Sequence, residues 1–221
     1  MACALIDKTG LDPDDPALYF SGMVVFIVIM LLGIAGLFRL GELLANQPST
    51  CDPAKLLRRK QIRLLQDPTT QLRYVRVYLF KSKGDPHGEG VPVYVASHPT
   101  RRYCPVVWTE RYLQLTASKN VTDLSAAFQW PTGGVVTKSS FIRKLKQRLE
   151  SSGFDPSGYA GHSLRIGGAV SLKRAGVAEH IIQKLGRWKS DAYKLYIHWI
   201  PASLVELRDL LRTKQCVRRR R

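Results

Sequence analysis

The chain has 221 residues, 45% of them hydrophobic, and carries 34 Lys and Arg against 17 Asp and Glu, a net charge of +17. That length holds one sizeable domain with an ordinary globular core. The excess of positive charge favours a polyanionic partner, most simply nucleic acid. Cys3, Cys51, Cys104 and Cys216 form no CxxC pair, and no His stands at ligand spacing from them. This argues against a structural zinc site and a disulfide framework, and fits a reducing compartment.

Residues 1–16 read as an acidic, loosely ordered lead-in, ending in the helix-start signal Asp12-Pro13-Asp14-Asp15-Pro16. Its acidity and the late apolar run speak against a cleavable signal peptide. Ala17 to Phe38 is uncharged and long enough to span a membrane. However, Arg39 and Glu42 follow at i,i+3 spacing, and Leu40, Leu43 and Leu44 continue the apolar pattern. The preferred reading is one or two core helices running to about Ala45, with Gly33 and Gly36 permitting close packing; a membrane anchor is the alternative. A loop at Asn46 to Thr50 follows.

Gln61 to Leu65, Tyr74 to Phe80 and Val91 to Val95 have strand texture. The last two flank the turn-rich Gly84 to Gly90, and Pro92 puts the third strand at an edge. Helices are expected over Pro105 to Thr116, Ser139 to Ser151 and His162 to Arg174. A shorter one carries Ile181, Ile182 and Leu185 and stops at Gly186. Ser190-Asp191 is positioned to cap a helix holding Tyr193 and Tyr196. An amphipathic helix with Leu204, Leu207, Leu210 and Leu211 precedes the Arg218–Arg221 tail, which is either a phosphate contact or nuclear address, or a solvated charged end. The fold class is α+β, mostly α, with helices around a small three-stranded antiparallel sheet. Ala169 to Leu185, broken by Gly176, also reads as a helix-turn-helix.

His162 and Arg165 share one helical face near a positive helix end. Arginine suits a phosphate because its charge is permanent and its fork binds two oxygens. A tyrosine is a plausible nucleophile because its phenol can be deprotonated in a cationic pocket, and Tyr193 and Tyr196 stand one helical turn apart. Lys81 and Lys83 point to the same side of a strand.

The order Arg39 … Lys83 … His162-Ser163-Leu164-Arg165 … Gly186-Arg187-Trp188 … Tyr196 resembles the tyrosine recombinase (phage integrase) family from about Leu31 to His198. Gly36-Leu37-Phe38-Arg39-Leu40-Gly41-Glu42-Leu43 matches that family's first arginine element. The resemblance implies phosphate binding by Arg39, Arg165 and Trp188, with Glu42 orienting Arg39. It implies acid–base work by His162, protonation of the leaving oxygen by Lys83 (Lys81 being the competitor), and attack by Tyr196. Lys81, Arg187 and Lys189 are candidate DNA contacts. Arg187 stands where the family usually has histidine, so the roles of Arg187 and Trp188 are open. The Gly-Arg-Trp form is similar to recombinases of eukaryotic Crypton- and DIRS-like mobile elements. The expected domains are the lead-in at 1–16, a catalytic domain at 17–200 and a helix with basic tail at 201–221, with the family's N-terminal clamp domain absent. The implied partners are double-stranded DNA and other copies of the chain, as a tetramer on DNA. Neither metal nor small-molecule cofactor is expected. The compartment would be the nucleus in a eukaryote and otherwise the cytoplasm. The competing function is a non-enzymatic DNA-binding protein.

Overall fold

The computed structural model describes residues 5–7, 10, 12–15, 17–46, 56–80, 90–117 and 121–197. The chain divides into two compact units, Met1–Gly168 and Ala169–Arg221.

In the first unit the apolar run is not one helix. It forms α1 (Ala17–Phe20), α2 (Met23–Ala35) and α3 (Leu40–Leu43). Gly22 breaks α1 from α2 at φ 68°, where the Trp130 ring lies against its α-carbon. Every residue from Met23 to Gly33 is buried. A helix that is apolar all round must be enclosed on all sides. Here Phe26 stacks on Phe141 with ring centroids 5.2 Å apart, and α2 packs against the helix α4 (Pro105–Ala117). Among the described residues no helix is long and apolar enough to cross a membrane.

The expectation that the helical pattern continues through Arg39 to Leu44 is corrected. Helix α2 ends with Gly36 N–H donating to the Leu32 carbonyl (2.8 Å) and Phe38 N–H to the Gly33 carbonyl (3.2 Å). Leu37 between them is left-handed, at φ 48°. The Phe38 bond is the six-to-one closure that usually takes glycine at the left-handed position it spans. Leu37 instead is fully buried.

The sheet has the order β1 (Ile62–Gln66), β2 (Arg73–Leu79), β3 (Val91–Ala96), antiparallel throughout. Ile62, Val77 and Val93 share one inward row, and Val75 pairs with Val95 in the next. Alternation with period two sends these valines to the core and their neighbours outward. Pro92 lies on an edge strand, as its missing N–H requires. The inner face rests on α4, whose Trp108 and Tyr112 are buried. Trp108 Nε1 donates to the Arg102 carbonyl (2.7 Å), and Tyr112 Oη accepts from Gln129 N–H (2.9 Å).

Helix α5 (Lys138–Ser151) starts at a reciprocal cap. Ser140 N–H donates to Thr137 Oγ1 (3.2 Å), and Thr137 N–H donates to Ser140 Oγ (3.0 Å). Helix α6 (Ser163–Arg174) runs to the end of the first unit at Gly168 and on into the second. The second unit continues with α7 (Glu179–Gly186), a 3₁₀ turn at Asp191–Tyr193 and the short α8 (Lys194–Ile197). Gly176, left-handed at φ 81°, turns the chain between α6 and α7. The amphipathic segment after Pro201 and the basic tail lie outside the described residues.

The lead-in is also tied down where it is described. Leu5 and Ile6 are buried in the core. Asp14 accepts two bonds from Arg101 Nη2 (2.7 and 2.8 Å). Asp7 accepts from the Tyr103 hydroxyl and lies 3.6 Å from Arg102. For the described residues its looseness as read from sequence is therefore corrected: Asp7 and Asp14 find basic partners far along the chain.

Candidate active site

Arg39 is the residue before α3, extended at φ −73° and ψ 138°. Its backbone N–H donates to Glu42 Oε2 (2.8 Å), and its guanidinium Nη1 donates to Oε1 (2.9 Å). One carboxylate thus caps the helix start and holds the arginine head. The Glu42 side chain is 8% exposed and that of Arg39 32%. A pair this enclosed fixes a direction, which an exposed i,i+3 pair does not.

Arg165 sits in the first turn of α6 and is 4% exposed. Its Nη1 donates to the carbonyl of Leu37, two residues before Arg39. The left-handed turn at Leu37 therefore aims that carbonyl at one arginine and delivers the chain to the other. Gly168, one turn further along α6, makes the approach possible. A Cβ there would overlap the Ile34 carbonyl and come within 2.5 Å of Leu37 Cδ2. Likewise a Cβ at Gly33 would come within 2.9 Å of Leu164. A cation in the first turn opposes the helix dipole. Helix end and guanidinium together favour an anion at this place.

His162 is exposed at the start of α6, and its carbonyl accepts from Ile166 N–H (3.0 Å). It is therefore just ahead of the helix rather than its first residue. Ser163 Oγ closes the preceding turn by accepting from Ala160 N–H (2.9 Å).

In the second unit α7 ends as α2 does. Arg187 is left-handed at φ 58°. Its N–H donates to the Lys184 carbonyl (3.0 Å) and Trp188 N–H to the Gln183 carbonyl (3.1 Å). The Trp188 ring lies directly over Gly186, where any Cβ would collide with it. It also lies 5.9 Å, centroid to centroid, from the ring of Tyr193. Tyr193 is 3% exposed, whereas Tyr196 on α8 is half-buried. Of the two phenols, Tyr193 packs Trp188 and Tyr196 is the accessible one. Arg187 Nη1 bonds the Leu185 carbonyl (3.1 Å), and Lys189 is exposed.

The structure thus brings Arg39, Glu42 and Arg165 to one turn, and places Arg187, Trp188 and Tyr196 along one short stretch of the second unit. Lys81 and Lys83 lie outside the described residues. Sequence reasoning missed Leu37. The Gly167-Gly168 doublet in the sequence reads as a place for close packing, and only Gly168 uses it; nothing lies within 4 Å of a Cβ at Gly167. Among the described residues no group of His, Cys, Asp and Glu could hold a metal ion.

No family model matches the chain, and no curated protein matches it. Solved structures do. The XerH site-specific recombinase bound to palindromic difH substrate, in a post-cleavage complex, aligns with a TM-score of 0.61 and 11% identity, covering 96% of this chain and 51% of that one. XerA recombinase aligns with a TM-score of 0.59 and 20% identity, covering 96% and 61%. FLP recombinase in a Holliday junction complex aligns with a TM-score of 0.51 and 12% identity, covering 86% and 44%. The chain therefore spans about half the length of the structures it matches. Its mostly helical fold around a three-stranded antiparallel sheet is that of the tyrosine recombinase catalytic domain.

Proposed function

We propose that the chain is a site-specific DNA recombinase or integrase that cuts and rejoins DNA through a 3′-phosphotyrosyl intermediate. The observation that carries this reading is the meeting of Arg39, braced by Glu42, with Arg165 at the Leu37 turn. These are two cations directed by buried partners, in a fold shared with recombinases. A phosphodiester in transit through a pentacoordinate state gains charge on its non-bridging oxygens, and fixed guanidinium groups stabilise that charge without reorganising.

Tyr196 Oη attacks the phosphorus and the bond to the 5′ oxygen breaks. The phenol proton passes to His162, and the departing 5′ oxygen takes a proton from Lys83. A 5′ hydroxyl then attacks the phosphotyrosyl bond and releases Tyr196. Trp188 donates its indole N–H to the phosphate, and Lys81, Arg187 and Lys189 contact the backbone. The partner is double-stranded DNA bound by four copies of the chain. The Gly186-Arg187-Trp188 form and the Arg218–Arg221 tail support a nuclear mobile-element enzyme.

The test is incubation with supercoiled plasmid, an SDS quench and peptide mapping of DNA-linked protein. An adduct at Tyr196 that Tyr196→Phe abolishes, with DNA binding kept, is expected. An adduct surviving in Tyr196→Phe refutes the assignment. Salt-sensitive binding with no adduct in the parent chain leaves the helix-turn-helix reading, which α6, Gly176 and α7 carry.

A further inference from the structure

The sheet has an outward face that the cutting chemistry does not use. Alternation places Arg63, Tyr74, Arg76, Tyr78 and Tyr94 on it, and Phe80 follows at the end of β2. Tyr94 is 57% exposed and Phe80 50%. Tyr74 and Tyr94 meet edge to face at 5.6 Å, and Tyr78 and Phe80 at 4.9 Å. No outward position of the three strands carries a carboxylate.

The register adds a second observation. Arg63 stands directly opposite Arg76, and Arg76 opposite Tyr94. Like charges facing each other across an antiparallel pair are destabilising. Among the described residues the ion pair of Arg63 is a long, exposed one to Asp123 (3.4 Å), its other contact being to the Ile62 carbonyl (3.4 Å), and Arg76 has no ion pair. The face is thus a strip of rings crossed by two cations whose repulsion an anion would relieve. Rings stack bases whatever their identity, and arginines take the phosphates between them. A duplex presents no free base faces, so the fitting ligand is a single strand.

We propose that this face docks single-stranded DNA, with bases on Tyr74 and Tyr94 and a phosphate between Arg63 and Arg76. The choice of DNA over RNA rests on the proposed strand exchange, in which a cut strand leaves its complement.

The experiment is fluorescence anisotropy of the full chain with a 5′-labelled oligothymidylate. Tyr94→Ala weakens binding about tenfold, the usual loss for one stacked base, while Tyr94→Phe binds as the parent does. Arg76→Gln flattens the salt dependence by about one phosphate. Plasmid adduct formation is unchanged in Tyr94→Ala. Unaltered oligothymidylate binding in Tyr94→Ala overturns the proposal, and so does tighter binding of an oligouridylate of equal length. Tyr196→Phe binds the oligothymidylate normally, so failure of the cleavage reading and failure of this one are separately visible.

Discussion

Two adjacent glycines should respond to alanine with opposite signs. Both lie inside α6, where alanine in place of glycine gains up to about 1 kcal/mol from backbone propensity alone. At Gly167 a Cβ meets nothing within 4 Å. Gly167→Ala should therefore raise the melting temperature by about 2–4 °C. At Gly168 the same methyl overlaps the Ile34 carbonyl oxygen and lies 2.5 Å from Leu37 Cδ2 and 3.1 Å from the Ile34 carbonyl carbon. A backbone carbonyl cannot swing aside as a side chain can, so α6 must move away from the end of α2. Forced overpacking costs about 1–3 kcal/mol. After the propensity gain, the net loss is up to about 2 kcal/mol, a fall of up to roughly 8 °C. The same shift draws Arg165 from the Leu37 carbonyl, and a displacement near 1 Å at a reacting phosphate can cost about a hundredfold in rate. Differential scanning fluorimetry reads the first effect and time-resolved plasmid adduct formation the second. If Gly168→Ala melts as high as Gly167→Ala and cleaves at the parental rate, the packing argument for how Arg165 is placed is wrong.

Glu42→Ala removes both the cap on α3 and the brace on Arg39. It should lose about 1–3 kcal/mol in urea unfolding, whereas Glu42→Gln keeps an acceptor and loses about half as much, with adduct formation slowed in both. Tyr193→Phe keeps the ring against Trp188 and should retain the adduct; Tyr193→Ala should lose it with the packing, and adduct loss in Tyr193→Phe would reverse the choice of nucleophile. Burial pushes the Tyr112 phenol up to about 12 from 10.0. Its folded-state pKa is raised, so the associated stability is complete below pH 10 and is lost as pH climbs toward 12. Tyr112→Phe should remove about 1 kcal/mol of that alkaline decline between pH 9 and 11, seen by comparing unfolding midpoints at the two pH values; identical pH slopes would show that the phenol titrates alike in both states.

The sheet was legible because its signals are local: period-two alternation, a turn-rich connection and a proline confined to an edge set each strand within a residue of its observed span. The helices after Pro105 were legible for the same reason, through their caps and glycine stops. The first arginine element was legible as a motif and misread as geometry. Nothing local marks Leu37 as left-handed, since its hydrophobic pattern simply continues that of α2. What holds it there is distant: the guanidinium of Arg165 on its carbonyl and the bare α-carbon of Gly168 beside its side chain. Docking of the lead-in was hidden likewise, because Asp14 and Arg101 are separated by 87 positions.

Arg165 Nη1 donates to the main-chain carbonyl of Leu37, a contact that orients the guanidinium without adding a negative charge beside it. A carboxylate in the place of that carbonyl would compete with an arriving phosphate, whereas a carbonyl occupies one donor and brings no charge of its own. The heading of the guanidinium is set when α2, α6 and the turn assemble, so its ordering entropy is spent in folding and not at the moment of encounter. Lysine at this position would keep the charge but not the fork, and a single ammonium cannot hold the carbonyl and grip two oxygens in one plane. Closing the α2–α6 contact and setting the heading of this guanidinium are therefore one folding event.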